Sequence, residues 1–145
     1  MINPLAKPLQ IGIYKDNLLV DLITTDEMTS DILLPLLKEL LQKYEISKII
    51  YANGPGSHMA TKITYVLLKT LNLIKDIPVF AVSGFELNNN KPIKALGKLY
   101  FIKEKETIIT KLFQEKIKDN FFMPKSIEDI KLEANIEPNY NIDAV

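Results

Sequence analysis

The sequence predicts an α/β fold built on a mixed sheet with two principal helices. Short apolar runs and two longer helical patterns follow one another in the order strand, strand, helix, strand, helix, strand over the first 86 residues. Helices placed between strands imply crossover connections and parallel neighbours, whereas a tight turn joins the first two strands. A chain of 145 residues, of which 47% are apolar, can bury the core that such a sheet needs.

The strands are predicted from four apolar runs. Residues 9–14 and 18–24 form a hairpin, because the turn-forming residues Lys15-Asp16-Asn17 separate them. Residues 48–52 have the composition of a strand buried on both faces, and residues 78–82 are a further apolar strand that ends at Ser83-Gly84.

The helices are predicted at residues 31–44 and 57–74. Thr29 or Ser30 is expected to cap the first helix, which carries Pro35 within about its first turn. Ser57 is expected to cap the second helix.

The two helices carry more apolar surface than one sheet requires. Apolar side chains spread over roughly 200° of the first helix, whereas a helix that lies on a sheet needs a stripe of about 100°. In the second helix Tyr65 and Leu68 stand outside the compact apolar face, which comprises Met59, Ile63, Val66, Leu67, Leu71 and Ile74. The excess has two interpretations: the helices pack on each other as well as on the sheet, or they present a face that docks on another protein.

The second half of the chain contains fewer regular patterns. Residues 88–92 are expected to form a surface loop, and residues 98–103 and 107–113 a hairpin around Glu104-Lys105-Glu106. Residues 126–130 predict a short helix, and residues 137–145 an irregular end.

Composition excludes several kinds of site. With 18 lysines, 18 acidic residues and no arginine, the chain has a net charge of zero, which argues against an extended nucleic-acid surface and excludes arginine clamps on phosphate. The absence of cysteine excludes disulfides and zinc–thiolate sites, and a single histidine excludes a multi-histidine metal site, so no metal site is expected. No apolar run approaches a membrane span and no signal peptide stands at the start, so we expect a cytoplasmic protein without a membrane partner.

The turn Gly54-Pro55-Gly56-Ser57 lies between a predicted strand and a predicted helix, where backbone N–H groups can hold an anion. Gly54, Gly56 and Ser57 are therefore candidate anion or nucleotide contacts, and a small nucleotide-dependent phosphotransferase or hydrolase is the alternative function. A structural turn is favoured, because the Walker lysine is missing and Pro55 lacks an N–H. His58 has no nucleophile or orienting group beside it in the sequence, so no catalytic residue is predicted.

These motifs together resemble the TsaB (YeaZ) family. Its members show a Gly-Pro-Gly-Ser turn before a long helix, followed by a strand and turn similar to residues 77–86. Residues 29–37 look like the family's first helix, and Glu137-Pro138-Asn139-Tyr140, followed by Asp143-Ala144-Val145, resembles its C-terminal Pro-x-Tyr segment. The similarity extends from about Leu9 to the end and is strongest over residues 51–86.

The sequence also departs from the family pattern. Residues 2–6 replace the family's opening strand and its Asp-Thr-Ser turn, which contacts phosphate in ATPase relatives. The glycine turn continues as His58-Met59-Ala60-Thr61-Lys62, where the family has Phe-Thr-Gly-Leu-Arg. The loss of the Asp-Thr-Ser turn argues against nucleotide hydrolysis.

The resemblance implies an RNase H-like, actin-like ATPase (ASKHA) fold in one domain, with a first lobe at residues 1–86 and a shortened second lobe and tail at residues 87–145. It implies a non-catalytic protein that binds and activates the TsaD transferase in the synthesis of threonylcarbamoyladenosine beside the tRNA anticodon. A TsaE-like ATPase would complete the complex, and tRNA would be contacted only indirectly. No cofactor is expected, with ATP or ADP at the partner interface left open.

The resemblance also implies that the first-lobe helices form the partner interface, and that a homodimer through the same surface is an alternative. The interface residues expected on this basis are Ile32, Leu33, Leu36, Leu37, Leu40, Ser57, His58, Thr61, Thr64, Tyr65 and Leu68.

Overall fold

The computed structural model describes residues 1–140, which form two sheets and two helices. The first part of the chain contains β1 (Ile2–Asn3), β2 (Leu9–Lys15), β3 (Leu18–Thr25), α1 (Thr29–Lys43), β4 (Ile49–Ala52), α2 (His58–Lys75) and β5 (Val79–Val82). The second part contains β6 (Ile93–Leu96), β7 (Leu99–Glu104) and β8 (Thr107–Leu112). The α/β fold class with a mixed sheet and two main helices is confirmed.

The first sheet has the strand order β3-β2-β1-β4-β5. The predicted hairpin is β2–β3, with left-handed φ angles of 53° at Asp16 and 67° at Asn17 in its turn. Strand β1 pairs antiparallel with β2 and parallel with β4, and β4 pairs parallel with β5. Strand β1 was not predicted, because it is two residues long and Pro4 follows it, yet it occupies the centre of the sheet.

Helix α1 begins two residues earlier than predicted. Its N-cap is Met28, whose backbone is extended and whose side chain makes no capping hydrogen bond, so the prediction of Thr29 or Ser30 was wrong. Pro35 is consequently the seventh helical residue and not part of the first turn. The carbonyl of Asp31 loses its helical donor there, and water can reach it because Asp31 and Pro35 are both exposed.

Helix α2 is capped as predicted. The Ser57 Oγ accepts a hydrogen bond from the Ala60 N–H at 3.4 Å. The helix ends at Lys75, and its C-cap Asp76 adopts a left-handed conformation with φ 56° and donates its N–H to the Asn72 carbonyl. The hydrogen bonds that cap the two ends of α2 therefore join residues that are close together in the sequence.

The two helices cover one face of the first sheet. The core on this face combines the inward side chains of β1, β2, β4 and β5 with those of both helices, including Leu33, Leu37 and Leu68. The opposite face packs a second cluster around Ile50, Val82 and Leu87, which is covered by the tail from Phe121 to Leu132. Residues 49–52 are buried throughout, as predicted.

The second sheet contains three strands in the order β6-β7-β8. The predicted hairpin is confirmed as β7–β8, whereas β6 was not predicted. Ile93 and Phe101 pack against Phe85 to form a small core between this sheet and the end of β5. Asn88, predicted to lie in a surface loop, is fully buried. Its Nδ2 donates to the Lys91 and Pro92 carbonyls and its Oδ1 accepts the Asn120 N–H, so the buried amide has hydrogen-bond partners.

The tail beyond the second sheet returns to the first sheet. The predicted short helix at residues 126–130 was wrong, because Ser126 forms a β-bridge with Leu18 and the Ile127 N–H bonds the Asn17 carbonyl. Further along, Glu133 bridges Ala81 with two backbone hydrogen bonds of 2.8 and 2.9 Å. Residues 137–140 contain no helix or strand, and residues 143–145 of the predicted ending lie outside the described residues. The division into lobes at residue 86 stays a prediction.

Candidate partner-docking surface and the glycine turn

The glycine turn joins β4 to α2 and is held by backbone contacts on two sides. Gly54 has φ 119° and Gly56 has φ 156°, conformations that favour glycine. The Gly54 carbonyl accepts the Gly84 N–H at 2.9 Å, which ties the turn to the end of β5. A Cβ on Gly54 would collide with the backbone carbonyl of Asn139, so the tail lies directly against the turn.

The tail segment at residues 136–140 follows β4 and the turn through four contacts. The Tyr51 hydroxyl donates a hydrogen bond to the Ile136 carbonyl. The Asn53 Nδ2 donates to the Glu137 carbonyl at 2.9 Å, and the Asn53 carbonyl accepts the Asn139 N–H at 2.7 Å. Beyond the turn, the rings of His58 and Tyr140 lie 4.4 Å apart. These contacts explain why the tail is held although it contains no regular element there.

Two N–H groups in the first turn of α2, those of Ala60 and Thr61, have partners within the chain. The Ala60 N–H bonds the Ser57 side chain, and the Thr61 N–H bonds the Ser57 carbonyl at 3.1 Å. Pro55 has no N–H to offer. The geometry therefore supports the structural interpretation of the turn, while anion binding at Gly54, Gly56 and Ser57 stays a prediction.

Tyr51 is a buried hydrogen-bond donor beneath this turn. Burial raises the pKa of its hydroxyl well above the ordinary range, and Coulombic repulsion from Tyr65 and Tyr140 raises it further. The hydroxyl therefore stays protonated at neutral pH and can continue to donate to Ile136.

The predicted interface residues divide into an exposed or partly exposed group and a buried group. Ser57 is exposed, and Ile32, Leu36, His58 and Tyr65 are partly exposed. The remaining six are buried within this chain and are not available to a partner in this conformation. These are Leu33, Leu37, Leu40, Thr61, Thr64 and Leu68.

The side of α2 that is most deeply buried is not its compact apolar face but the side that carries Thr61, Thr64 and Leu68. Thr61 and Thr64 lie in the core because their hydroxyls donate to the Ser57 and Ala60 carbonyls one turn earlier, at 2.6 and 2.8 Å. A threonine that satisfies its hydroxyl within its own helix can be buried at little cost. Met59, Val66 and Ile74, which belong to the compact apolar face, are exposed.

The exposed sides of the two helices meet along an apolar groove with a volume of about 810 Å³. Leu34 of α1 is 45% exposed, and Met59 and Val66 of α2 are 69% and 53% exposed. The residues that line the groove, called the α1–α2 groove below, are Thr29, Ser30, Leu33, Leu34, His58, Met59, Lys62, Ile63, Val66, Leu67 and Thr70. The sequence contained a signal for it, because Met59 and Val66 are seven residues apart and fall on one line of the helix.

The groove shares only two residues, Leu33 and His58, with the predicted interface. Leu34, Met59 and Val66 were not among the predicted residues. Within residues 1–140, no group of three or more His, Cys, Asp or Glu side chains is placed to hold a metal ion. None of the helices described is long and apolar enough to cross a bilayer.

Comparison with known proteins identifies relatives in sequence and in structure. The chain is 36% identical over 74 residues to the tRNA threonylcarbamoyladenosine biosynthesis protein TsaB of Bacillus subtilis (strain 168), a match that covers 50% of this chain and 32% of that protein. Its fold is similar to that of YeaZ from Pseudomonas aeruginosa, with a TM-score of 0.58 and 14% identity over 76% of this chain and 62% of that one.

The resemblance to the TsaB (YeaZ) family is confirmed.

A second solved structure, described as an uncharacterized protein with similarity to peptidase YEAZ from Pseudomonas aeruginosa, has a TM-score of 0.57 at 14% identity and covers 76% of this chain and 61% of that one. No family model matches the chain. The chain spans about a third of the length of the TsaB relative that it matches, and 61–62% of the two YeaZ structures. The fold of the described residues is therefore similar to the part of the YeaZ structures that the chain covers.

Proposed function

We propose that this chain acts in tRNA threonylcarbamoyladenosine synthesis as a non-catalytic protein that binds and activates a TsaD-like transferase. The observation that carries the proposal is the α1–α2 groove on a TsaB-like fold. A groove of about 810 Å³ whose exposed members include Leu34, Met59 and Val66 is suited to receive apolar side chains of a protein partner.

The composition of the groove supports a protein partner in preference to a small polar substrate. Its single charged residue is Lys62, and its remaining lining is aliphatic apart from His58 and hydroxyl side chains. Truncation of well-packed apolar contacts at the centre of such a surface costs the most binding energy. Val66 lies about two turns from Met59, so the two side chains span the length of the groove on α2.

A non-catalytic role is supported by the surroundings of the only histidine. His58 contacts the ring of Tyr140, and neither a nucleophile nor an orienting carboxylate is among its described contacts. In this proposal the chain contributes a surface, and the bond chemistry belongs to the transferase. A TsaE-like ATPase would join the complex elsewhere, and tRNA would be contacted only through the partners.

The proposal is tested by measuring the affinity of the chain for a TsaD-like transferase by calorimetry. The double variant Met59→Glu/Val66→Glu is expected to weaken binding at least tenfold, because it places two charges in an apolar interface. The matched control is Leu112→Glu on β8, where a 69% exposed leucine lies away from the groove. Equal affinity of the double variant and the wild type would contradict the proposal.

The same variants also test whether the groove joins two copies of this chain. If the groove joins two copies of this chain, Met59→Glu/Val66→Glu converts a dimer into a monomer in sedimentation experiments, and added transferase competes with the dimer.

The rival nucleotide-binding function predicts ATP binding by the isolated chain that is lost in Gly56→Asp. A flat ATP titration would remove that rival without affecting the groove.

A further inference from the structure

The methionine sulfurs are the oxidation-prone groups of this chain, which contains four methionines and no cysteine. Met123 is 7% exposed and lies against Gly12, and Met1 is partly buried beside the second core cluster. Met28 and Met59 are 68% and 69% exposed. Because oxidation follows exposure, a peroxide reaches the sulfurs of Met28 and Met59 most readily.

The two exposed methionines differ in their position relative to the α1–α2 groove. Met59 lies in the first turn of α2 and lines the groove. Met28 is the N-cap residue of α1 and is not among the residues that line the groove. Since the exposed fractions of the two side chains are nearly equal, Met28 is a matched control for Met59 within the same molecule.

The side chains that line the groove with Met59 suit a thioether better than a polar group. Ile63 and Val66 follow Met59 at intervals of four and seven residues, so the three share one line along α2. Leu34 lines the groove from α1. None of these three aliphatic side chains can donate a hydrogen bond. A polar atom at Met59 would therefore lose its contacts with water, and gain no donor from them, once a partner covered it.

We propose that Met59 is a redox-sensitive modification site, whose oxidation to the sulfoxide by a peroxide weakens docking of the transferase in the α1–α2 groove. The inference rests on the proposed function, which assigns the groove to the transferase. In the step, hydrogen peroxide transfers one oxygen atom to the Met59 Sδ, its O–O bond breaks, an S=O bond forms and water leaves. The sulfur loses two electrons and the peroxide gains them. Methionine sulfoxide reductases reverse this oxidation in proteins.

Oxidation of Met59 should change the affinity for the partner without changing the stability of the fold. In the free chain the Met59 side chain is largely in solvent, so water solvates the sulfoxide oxygen and the midpoint of thermal unfolding stays the same. In the complex, apolar side chains of the partner displace that water, and the oxygen loses its hydrogen bonds. We expect the affinity for the transferase to fall about tenfold.

The bound partner should in turn protect Met59 from oxidation. A transferase seated in the groove covers the Met59 Sδ and excludes peroxide from it. Met28 lies outside the lining of the groove and should be oxidised at the same rate with and without the partner. The ratio of the two oxidation rates, measured in one sample, therefore reports whether the partner covers the groove.

The test uses two variants of the full chain, each of which retains one exposed methionine. Met28→Leu retains Met59 and Met59→Leu retains Met28, and leucine conserves the apolar volume of the side chain that it replaces. Each variant is treated with hydrogen peroxide, which is removed before a TsaD-like transferase is added. Calorimetry measures the affinity before and after treatment, and peptide mass spectrometry measures the sulfoxide. Met28→Leu is expected to lose affinity about tenfold on oxidation, and Met59→Leu to keep the affinity that it had before treatment.

Equal affinity of Met28→Leu before and after oxidation of Met59, or an equal loss in both variants, would overturn the inference and leave the proposed function intact. A lower unfolding midpoint of oxidised Met28→Leu would assign the loss to the fold, and equal oxidation of Met59 in the wild type with and without saturating transferase would show that the partner does not cover it. Either result would overturn the inference as well. If the untreated wild type did not bind the transferase, the proposed function would be contradicted and the inference with it.

Discussion

The Tyr51 hydroxyl donates a hydrogen bond to the Ile136 carbonyl, and this contact joins the centre of the first sheet to the tail. Tyr51 lies on β4, immediately before the glycine turn, and is fully buried. The bond therefore connects the two segments that enclose the turn, and the stability of the turn should depend on the tail.

Removing this donor should destabilise the protein. Tyr51→Phe retains the ring and leaves the Ile136 carbonyl without its donor, which we expect to cost about 1–3 kcal/mol. Urea unfolding followed by circular dichroism measures the change. Tyr100→Phe is a matched control for a buried tyrosine, because the Tyr100 hydroxyl accepts the Ile117 N–H and does not contact this turn. An unchanged midpoint for Tyr51→Phe would show that the contact does not contribute.

The His58–Tyr140 contact should couple the start of α2 to the tail. Ring pairs at this distance contribute about 0.5–1.5 kcal/mol beyond their buried area. We expect a coupling of this size from a double-mutant cycle of His58→Ala and Tyr140→Ala, measured as free energies of unfolding. Strictly additive effects of the two changes would indicate that the rings do not interact.

Gly54 should tolerate substitution less than Gly97. Gly54→Ala places a Cβ against the Asn139 carbonyl at φ 119°, whereas a Cβ at Gly97 meets nothing within 4 Å and bears only the strain of φ 57°. We expect a cost of about 1 kcal/mol for Gly97→Ala and at least about 2–3 kcal/mol for Gly54→Ala, from denaturant unfolding. A similar cost for both variants would contradict the close approach of the tail.

Tyr14 should make the protein less stable at alkaline pH. Burial raises the pKa of its hydroxyl from 10.0 to about 12. Between these values the unfolded chain has lost a proton that the folded protein retains, so the free energy of unfolding decreases as pH rises from about 10 to about 12. The hydroxyl also donates to the Pro124 carbonyl at 2.5 Å.

Unfolding in urea between pH 8 and pH 12 measures this decrease. Tyr14→Phe is expected to be less stable at pH 8, because it lacks the bond to Pro124, and to show a shallower decline above pH 10. Parallel profiles for the variant and the wild type would contradict the assignment to Tyr14.

Some elements with a clear local sequence signal were predicted, whereas the features that depend only on distant contacts were not. The hairpin at Asp16 and Asn17 and the cap at Ser57 depend on neighbouring residues, so both were predicted. Strand β1 was missed because two residues carry no pattern. The path of the tail depends on contacts such as Tyr51–Ile136, between residues 85 positions apart, which periodicity cannot indicate.

The α1–α2 groove lies on the two helices that were expected to form the interface, but most of the residues that line it differ from the expected ones. By residue type, Met59 and Val66 belong to the compact apolar face of α2, and Thr61 and Thr64 lie outside it. The structure exposes the first two and buries the two threonines, whose hydroxyls bond to their own helix. A hydrophobicity scale cannot predict this burial, because it scores the threonine hydroxyl as polar whether or not the hydroxyl has a hydrogen-bond partner.

The proposed function is tested most directly by the amount of threonylcarbamoyladenosine in tRNA. A strain depleted of its own TsaB would express this chain, Met59→Glu/Val66→Glu or the control Leu112→Glu, together with the transferase from the same source. We expect the wild type and Leu112→Glu to restore the modified nucleoside, measured by mass spectrometry, and the double variant to restore at most a tenth as much. Full restoration by an equally abundant double variant, or none by the wild type, would contradict the proposal.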